Sequence, residues 1–307
     1  MDKNNIMIGT WAWGTGANGS SIVFGNKQDP AVLKQSFAKA VESGFLHWDT
    51  AAVYGMGTCE TLLGELIQNR DDIFISTKFM PDKKYKSGAL VQSFEDSMKR
   101  LNRTCADLFW IHAPHHLAEN LQDAIPLMKA GKIRSLGISN VSLAHIQEAE
   151  KLLADEGLKL GAVQNHFSLL RNDQQQIIDY CNARNIQYYA YMVLEQGALS
   201  GRYDASHHFP TFSMRNFAFS KSKFRKIEGL LTKMRELADK YHIDPSQIPI
   251  LWVMGKGAIP IVGITKPSHA EKLAEAMKIT LTAEELSALE QEAAATGLRQ
   301  QGIWEPQ

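Results

Sequence analysis

Short apolar runs alternate with longer amphipathic stretches along almost the whole chain. "FLHW" precedes "CETLLGELIQ", "IFIST" precedes "LVQSFEDSMKRL", and "DLFWIH" precedes "LQDAIPLMKA". "IRSLGIS", "AVQNH" and "IQYYAYM" continue the alternation with "LAHIQEAEKLL", "QQQIIDYCNAR" and "FRKIEGLLTKMRELADKY". The short runs are rich in β-branched and aromatic residues and read as buried strands. The longer stretches carry apolar residues at helical spacing: Leu33, Phe37, Ala40 and Val41 share one face, as do Leu90, Phe94, Met98 and Leu101. Asp29-Pro30 and Asp244-Pro245 each read as an N-cap followed by a first-turn proline. Pro126, inside a helical pattern, predicts a short or kinked helix.

With "IMIGTW" first and "AIPIVGI" last, the pattern holds eight strands with helices between them. Repeated βα units make the strands parallel, and eight units close a (β/α)8 TIM barrel of the α/β class. The 307 residues show no linker or shift in composition, so one domain spanning residues 1–307 is expected. Residues 195–222 form a long segment after the seventh strand, of the kind that is usually functional.

Composition narrows the function. Apolar residues make up 44% of the chain, and 33 basic residues balance 33 acidic ones, so no field draws nucleic acid or an anionic membrane. Cys59, Cys105 and Cys181 are too few and too far apart for a disulfide framework or a cysteine zinc site. The pairs His115-His116 and His207-His208 lack the carboxylate or cysteine partners of a metal site, and no metal is expected. No signal segment or membrane span is read, so a cytoplasmic location is expected.

A barrel of this kind places its active site at the C-terminal ends of the strands. Asp49 and Tyr54 follow the second strand, Lys78 the third and His112 the fourth. Ser139 and Asn140 follow the fifth, Gln164 lies at the sixth, Tyr191 at the seventh, and Thr265, Lys266 and His269 follow the eighth. Singly, each has an ordinary reading: a turn cap, a rim aromatic, a surface lysine, a satisfied buried histidine. Jointly, the first four converge from three successive strands on one mouth. Their chemistry suits carbonyl reduction, in which the carbonyl oxygen gains negative charge and then a proton. Tyr54 can donate that proton, Lys78 is expected to lower its pKa from about 10, Asp49 to hold Lys78, and His112 to donate a second hydrogen bond to the oxygen.

Gly14 to Gly19 spell G-x-G-x-x-G, the pattern that cradles a dinucleotide pyrophosphate when it opens a helix. Here "SSIVFGNKQ" intervenes before Asp29-Pro30, so the motif reads as a βα loop at the barrel rim.

The stretches "GFLHWDTAAVYG", "CETLLGELI", "STK", "WIHAP", "GKIRSLGISN", "VQNHFSLL", "YMVLEQGALSGRY" and "GITKPSH", in this order from Met7 to Met277, resemble the aldo-keto reductase family. The resemblance implies an NADP(H)-dependent oxidoreductase acting on a small-molecule aldehyde or ketone, with Tyr54 as proton donor in a tetrad with Asp49, Lys78 and His112. It implies cofactor contacts at Thr10, Trp11 and Asp49, and Ser139, Asn140 and Gln164 on the nicotinamide carboxamide. Tyr191 would stack on the ring, Leu194 and Gln196 would line the pyrophosphate, and Gly263, Ile264, Thr265, Lys266, His269 and Lys272 would grip the adenosine phosphate end. Trp11 would also wall the substrate pocket. His269 stands where the family often has arginine, with lysines to supply charge, so NAD(H) remains an alternative cofactor. Met192-Val193 replace a usual proline; Ala113 replaces a bulkier residue, and this last change suggests an altered or roomier substrate pocket. The tail with Trp304 either covers the mouth or packs outside. Some barrels of this family serve as cofactor-binding, channel-associated subunits, the alternative function.

Overall fold

The computed structural model describes residues 5–16, 19–20, 24–25, 28–68, 70–209 and 214–300. Eight strands form a closed, all-parallel barrel in sequence order: β1 (Met7–Gly9), β2 (His47–Asp49), β3 (Phe74–Phe79), β4 (Leu108–Ile111), β5 (Leu136–Ser139), β6 (Ala162–His166), β7 (Gln187–Tyr191) and β8 (Ile259–Gly263). β1 closes the ring on β8 with Met7 opposite Ile261 and Gly9 opposite Gly263. Around it lie α1 (Pro30–Glu42), α2 (Thr58–Leu66), α3 (Ala89–Leu101), α4 (Leu117–Lys129), α5 (Leu143–Asp155) and α6 (Gln175–Ala183). After β7 come α7 (Met214–Ala218), α8 (Lys221–Lys226), α9 (Glu228–Tyr241) and α10 (Gln247–Gly255), then α11 (Pro267–Ala276) and α12 (Ala283–Ala295) beyond β8.

The period-2 alternation of strand side chains divides the core in two. Ile8, Trp48, Ile75, Phe109, Ile111, Ile138 and Val163 face the helices and join one continuous cluster. Met7, Leu108, Trp110, Ala162 and Tyr189 fill the barrel itself. Gly137 of β5 is required there, because a Cβ would sit 2.3 Å from the Trp110 ring. Two residues further along the same inward rows come Asp49, Lys78, His112, Ser139, Gln164 and Tyr191. The alternation that packs the barrel therefore also delivers these polar groups to one layer at its C-terminal mouth.

The helix faces follow the apolar spacing: Leu33, Phe37 and Ala40 are buried on α1, and Leu90, Phe94, Met98 and Leu101 on α3. Asp29 caps α1 by accepting the Ala31 N–H. Asp244 does not cap a helix at Pro245: it accepts from Ser246 in a tight turn, and α10 begins at Gln247. α4 runs through Pro126 to Lys129. Pro126 is exposed there, so the carbonyl of Gln122 that loses its partner can bond water. Among its described residues, the segment after β7 holds a 3-10 turn over Glu195–Ser200 and then α7 and α8. Trp304, Ala17, Asn18, Ile22 and Val23 lie outside the described residues.

Candidate active site

Lys78 is fully buried, and its ammonium has three acceptors for three N–H groups. These are the Asp49 Oδ2 carboxylate oxygen, the Thr50 carbonyl at 2.8 Å, and the Tyr54 hydroxyl at 3.4 Å. Ser76 donates to the other Asp49 oxygen at 2.5 Å. Thr10, also buried, donates its hydroxyl to the Asp49 carbonyl at 3.0 Å and so supports Asp49. His112 is 3% exposed and meets Tyr54 edge-on, with ring centroids 6.1 Å apart. Trp11 stacks on Tyr54, with ring centroids 5.8 Å apart.

The turn that presents Tyr54 is left-handed at three consecutive residues: Gly55 (φ 55), Met56 (φ 54) and Gly57 (φ 92). Of the G-x-G-x-x-G motif, Gly14 packs against this turn, while Gly19 packs within its own loop. A Cβ on Gly14 would approach Gly55 to 3.0 Å, and one on Gly19 would meet the Thr15 carbonyl carbon at 2.6 Å. Phe24 N–H bonds back to the Ser20 carbonyl, and the Phe24 ring meets Trp11 edge-on at the mouth.

Burial sets the protonation states. Exclusion of water and the charge of Asp49 push the Tyr54 phenol well above its ordinary value. The net shift is upward, against the lowering expected from Lys78: burial dominates, and the negative charge of Asp49 adds to it. Desolvation lowers Lys78, and Asp49 opposes it. Desolvation, then the Lys78 charge, hold His112 well below 6.5, so its imidazole is neutral at pH 7. The cluster is thus a protonated phenol beside a neutral imidazole N–H, backed by a buried ion pair.

A cavity of about 230 Å³ opens above Tyr54 and His112, lined also by Trp11, Gln164, Tyr191 and Leu194. Leu194, Gly197, Gly263 and Thr265 are shared with a second lobe of about 440 Å³, which runs to His269 and Lys272. The two lobes form one groove, within the size range of ligand sites. Gln164 is 2% exposed, and its Nε2 has no hydrogen-bond partner among the described residues. Asn140 (φ 61) is engaged otherwise: it donates to the His112 carbonyl at 2.8 Å and to Ser139 Oγ at 3.2 Å, and accepts from the Tyr191 hydroxyl at 2.6 Å. Ser139 and Asn140 therefore brace the wall behind Gln164. Ala113 is buried and is not among the residues that line the cavity.

At the far end, Thr265, Lys266, His269, Lys272 and Ile264 line the second lobe. The Ile264 carbonyl is pinned by Trp13 Nε1 at 2.7 Å. α11 starts at Pro267, as its proline signals, and His269 Nδ1 accepts the Thr265 N–H at 3.3 Å. Desolvation, with the charges of Arg202, Lys266 and Lys272, pushes His269 down to about 4. Lys272 is paired with Asp244. Arg202 and Arg215 also line this lobe, and the sequence reading missed both. They lie in the long segment after β7, where no strand register predicts direction; only "GRY" beside a turn hinted at it. Also missed was a buried contact between His166 and Glu195 at 2.7 Å. The paired histidines are occupied elsewhere: His116 with the Lys83 carbonyl, His208 with the Phe209 carbonyl, and His207 stacked on Tyr203.

Comparison with known proteins agrees with this geometry. The profile of the Aldo/keto reductase family matches residues 5–293, and the chain belongs to that family. It is 28% identical to the aldo-keto reductase yakc [NADP(+)] of Schizosaccharomyces pombe, over 88% of this chain and 85% of the relative. It is 29% identical to the chloroplastic pyridoxal reductase of Arabidopsis thaliana, over 92% and 81%. The fold matches the glycerol dehydrogenase AKR11B4 from Gluconobacter oxydans with a TM-score of 0.81 at 23% identity, covering 97% of this chain and 94% of that one.

Proposed function

We propose that the protein reduces an aldehyde or ketone carbonyl at the expense of NADPH, with Tyr54 as the proton donor. The observation that carries this reading is the Tyr54 hydroxyl 3.4 Å from Lys78 Nζ, at the inner end of a groove whose outer end is basic. The chain's residues fit the cofactor. Gln164 offers a buried, unsatisfied amide to a carboxamide, with Ser139 and Asn140 fixing the wall behind it. Tyr191 offers an aromatic face, Leu194, Gln196 and Gly263 line the middle, and Thr265, Lys266 and Lys272 with Arg202 and Arg215 surround the phosphate end.

NADPH, when bound, supplies the hydride. Tyr54 and His112 converge on the place of the carbonyl oxygen, so the phenol can give its proton while the imidazole N–H holds the oxygen. As the phenol loses its proton, the third Lys78 N–H gains a charged acceptor. That bond is stronger in the transition state than in the ground state, which is what accelerates a reaction. The high pKa of the free phenol keeps the donor protonated at neutral pH. Trp11 and Phe24, with ring centroids 5.2 Å apart, offer an apolar wall for a small carbonyl compound. A single-domain, cytoplasmic enzyme fits this reading; among the described residues no helix is long and apolar enough to cross a membrane.

The test mixes purified protein with NADPH and a panel of aldehydes and ketones and follows the absorbance of the reduced cofactor. Turnover is expected, with loss of ~10²–10⁴-fold in Tyr54→Phe. Unchanged turnover in that variant would remove the proposed donor.

A further inference from the structure

The groove wall shared by both lobes is the turn from Met192 to Gly197, which leaves β7. Met192, Val193, Leu194, Gln196 and Gly197 all line the cavity. Its backbone is unusual: Met192 (φ 60), Glu195 (φ 47) and Gln196 (φ 54) are left-handed without being glycine, and Gly197 follows at φ 100. L-residues keep such conformations only where their surroundings over-determine them. Two backbone bonds close the turn, Glu195 N–H to the Met192 carbonyl and Gly197 N–H to the Leu194 carbonyl, each 2.8 Å. These bonds shape the turn but do not attach it to the barrel.

Glu195 makes that attachment. It sits between two groove-lining residues, yet its side chain is fully buried and is not part of the lining. One carboxylate oxygen, Oε1, meets His166 Nε2 at 2.7 Å and accepts from the Ser168 hydroxyl. His166 ends β6, opposite Tyr191 at the end of β7, and the two rings stack 5.5 Å apart. Ser168 is itself held, accepting the Leu170 N–H at 3.1 Å. A carboxylate without water is costly unless hydrogen-bonded, so these contacts fix where Glu195, and hence the turn, must lie.

We infer that Glu195, gripped by His166 and Ser168, is a positioning residue that latches the 192–197 turn in the shape that receives the dinucleotide. The inference rests on the NADPH reading above. The latch touches neither the groove nor the reacting atoms. It acts through the placement of Leu194, Gln196 and Gly197, and through the His166 ring that backs Tyr191.

The experiment is a titration of the intact protein with NADPH, followed by quenching of tryptophan fluorescence, alongside thermal unfolding and steady-state kinetics. In Glu195→Ala the dissociation constant is expected to rise ~tenfold or more, with KM for NADPH rising further than kcat falls. Glu195→Gln keeps an acceptor for both donors and is expected to stay within ~threefold of the wild type. If Glu195→Ala fails to fold, Ser168→Ala removes one donor to the same oxygen and is expected to weaken NADPH binding by ~threefold. A lowered melting temperature with unchanged NADPH affinity overturns the latch, as does equal weakening in the Gln and Ala variants. A wild-type protein that does not bind NADPH overturns the cofactor reading instead, so the two failures are distinguishable.

Discussion

The two ends of the groove are built by different means. The inner end draws Asp49, Lys78 and His112 from three neighbouring strands, all three almost fully buried, with Tyr54 on a turn locked by glycine packing. The outer end gathers Arg202 and Arg215 from the segment after β7, and Lys266 and Lys272 from the N-cap and body of α11. Some of these are exposed, and Lys272 is already shared with Asp244. A site that moves a proton needs fixed distances and excluded water. A site that holds a phosphate needs only enough positive charge within reach, and several arrangements supply it.

The comparison breaks most sharply at Lys78. Lys78→Met should lower kcat by ~10³-fold while leaving NADPH affinity near that of the wild type, measured by single-turnover oxidation beside fluorescence titration. A similar loss in an outer-end variant would erase the distinction. Asp49→Ala strands a buried ammonium, and chemical denaturation should show a loss of about 3–5 kcal/mol. At the outer end, Arg202→Ala and Arg215→Ala should each weaken NADPH ~tenfold but NADH little, because the phosphate that distinguishes them is the group at stake. Equal effects on both cofactors would place these arginines elsewhere.

Smaller effects sharpen the picture through pH. His269 is held down to about 4 in the folded protein, against ~6.5 unfolded. Between those values the unfolded chain binds a proton that the folded one refuses. The contribution of His269 is therefore intact above ~6.5 and lost as pH falls toward 4. His269→Gln should flatten that slope by about 1 kcal/mol, a value discounted for partial exposure. A denaturation series from pH 7 to 4 that shows the same slope in both proteins would count against it. With its phenol held above the ordinary tyrosine range, the free enzyme should show a flat kcat/KM for reduction across neutral pH and lose activity only above ~10.

How much was legible in the sequence follows the same division. Strand rows have a period of two, so "HWD", "STK" and "WIH" fix which side chains enter the barrel once the strands are recognised. The tetrad could be read for that reason. No such period governs Arg202 or Arg215, whose direction depends on turns and short helices that the sequence does not register. Glu195 was hidden differently: "VLEQG" has no feature that marks left-handed backbone at a glutamate, and its partner His166 lies 29 residues away. Asn140 and Thr10 both sit at strand ends, and the hydrogen bonds they make to neighbouring strands cannot be foreseen without the fold. For Tyr54 the proximity of Lys78 is legible in the sequence, and the burial that raises the phenol is not.

The contact between Gly14 and Gly55 ties two loops, after β1 and after β2, into one mechanical unit. Added bulk at position 14 would therefore be felt as a misplaced acid on the neighbouring loop, slowing the chemistry without touching any reacting group. Tolerance to added side chains should vary along this loop: poor at Gly14 and Gly19, where a Cβ would meet neighbouring atoms at 3.0 Å or less, and limited at Gly16 by its left-handed φ of 73 alone, since a Cβ there would meet nothing within 4 Å.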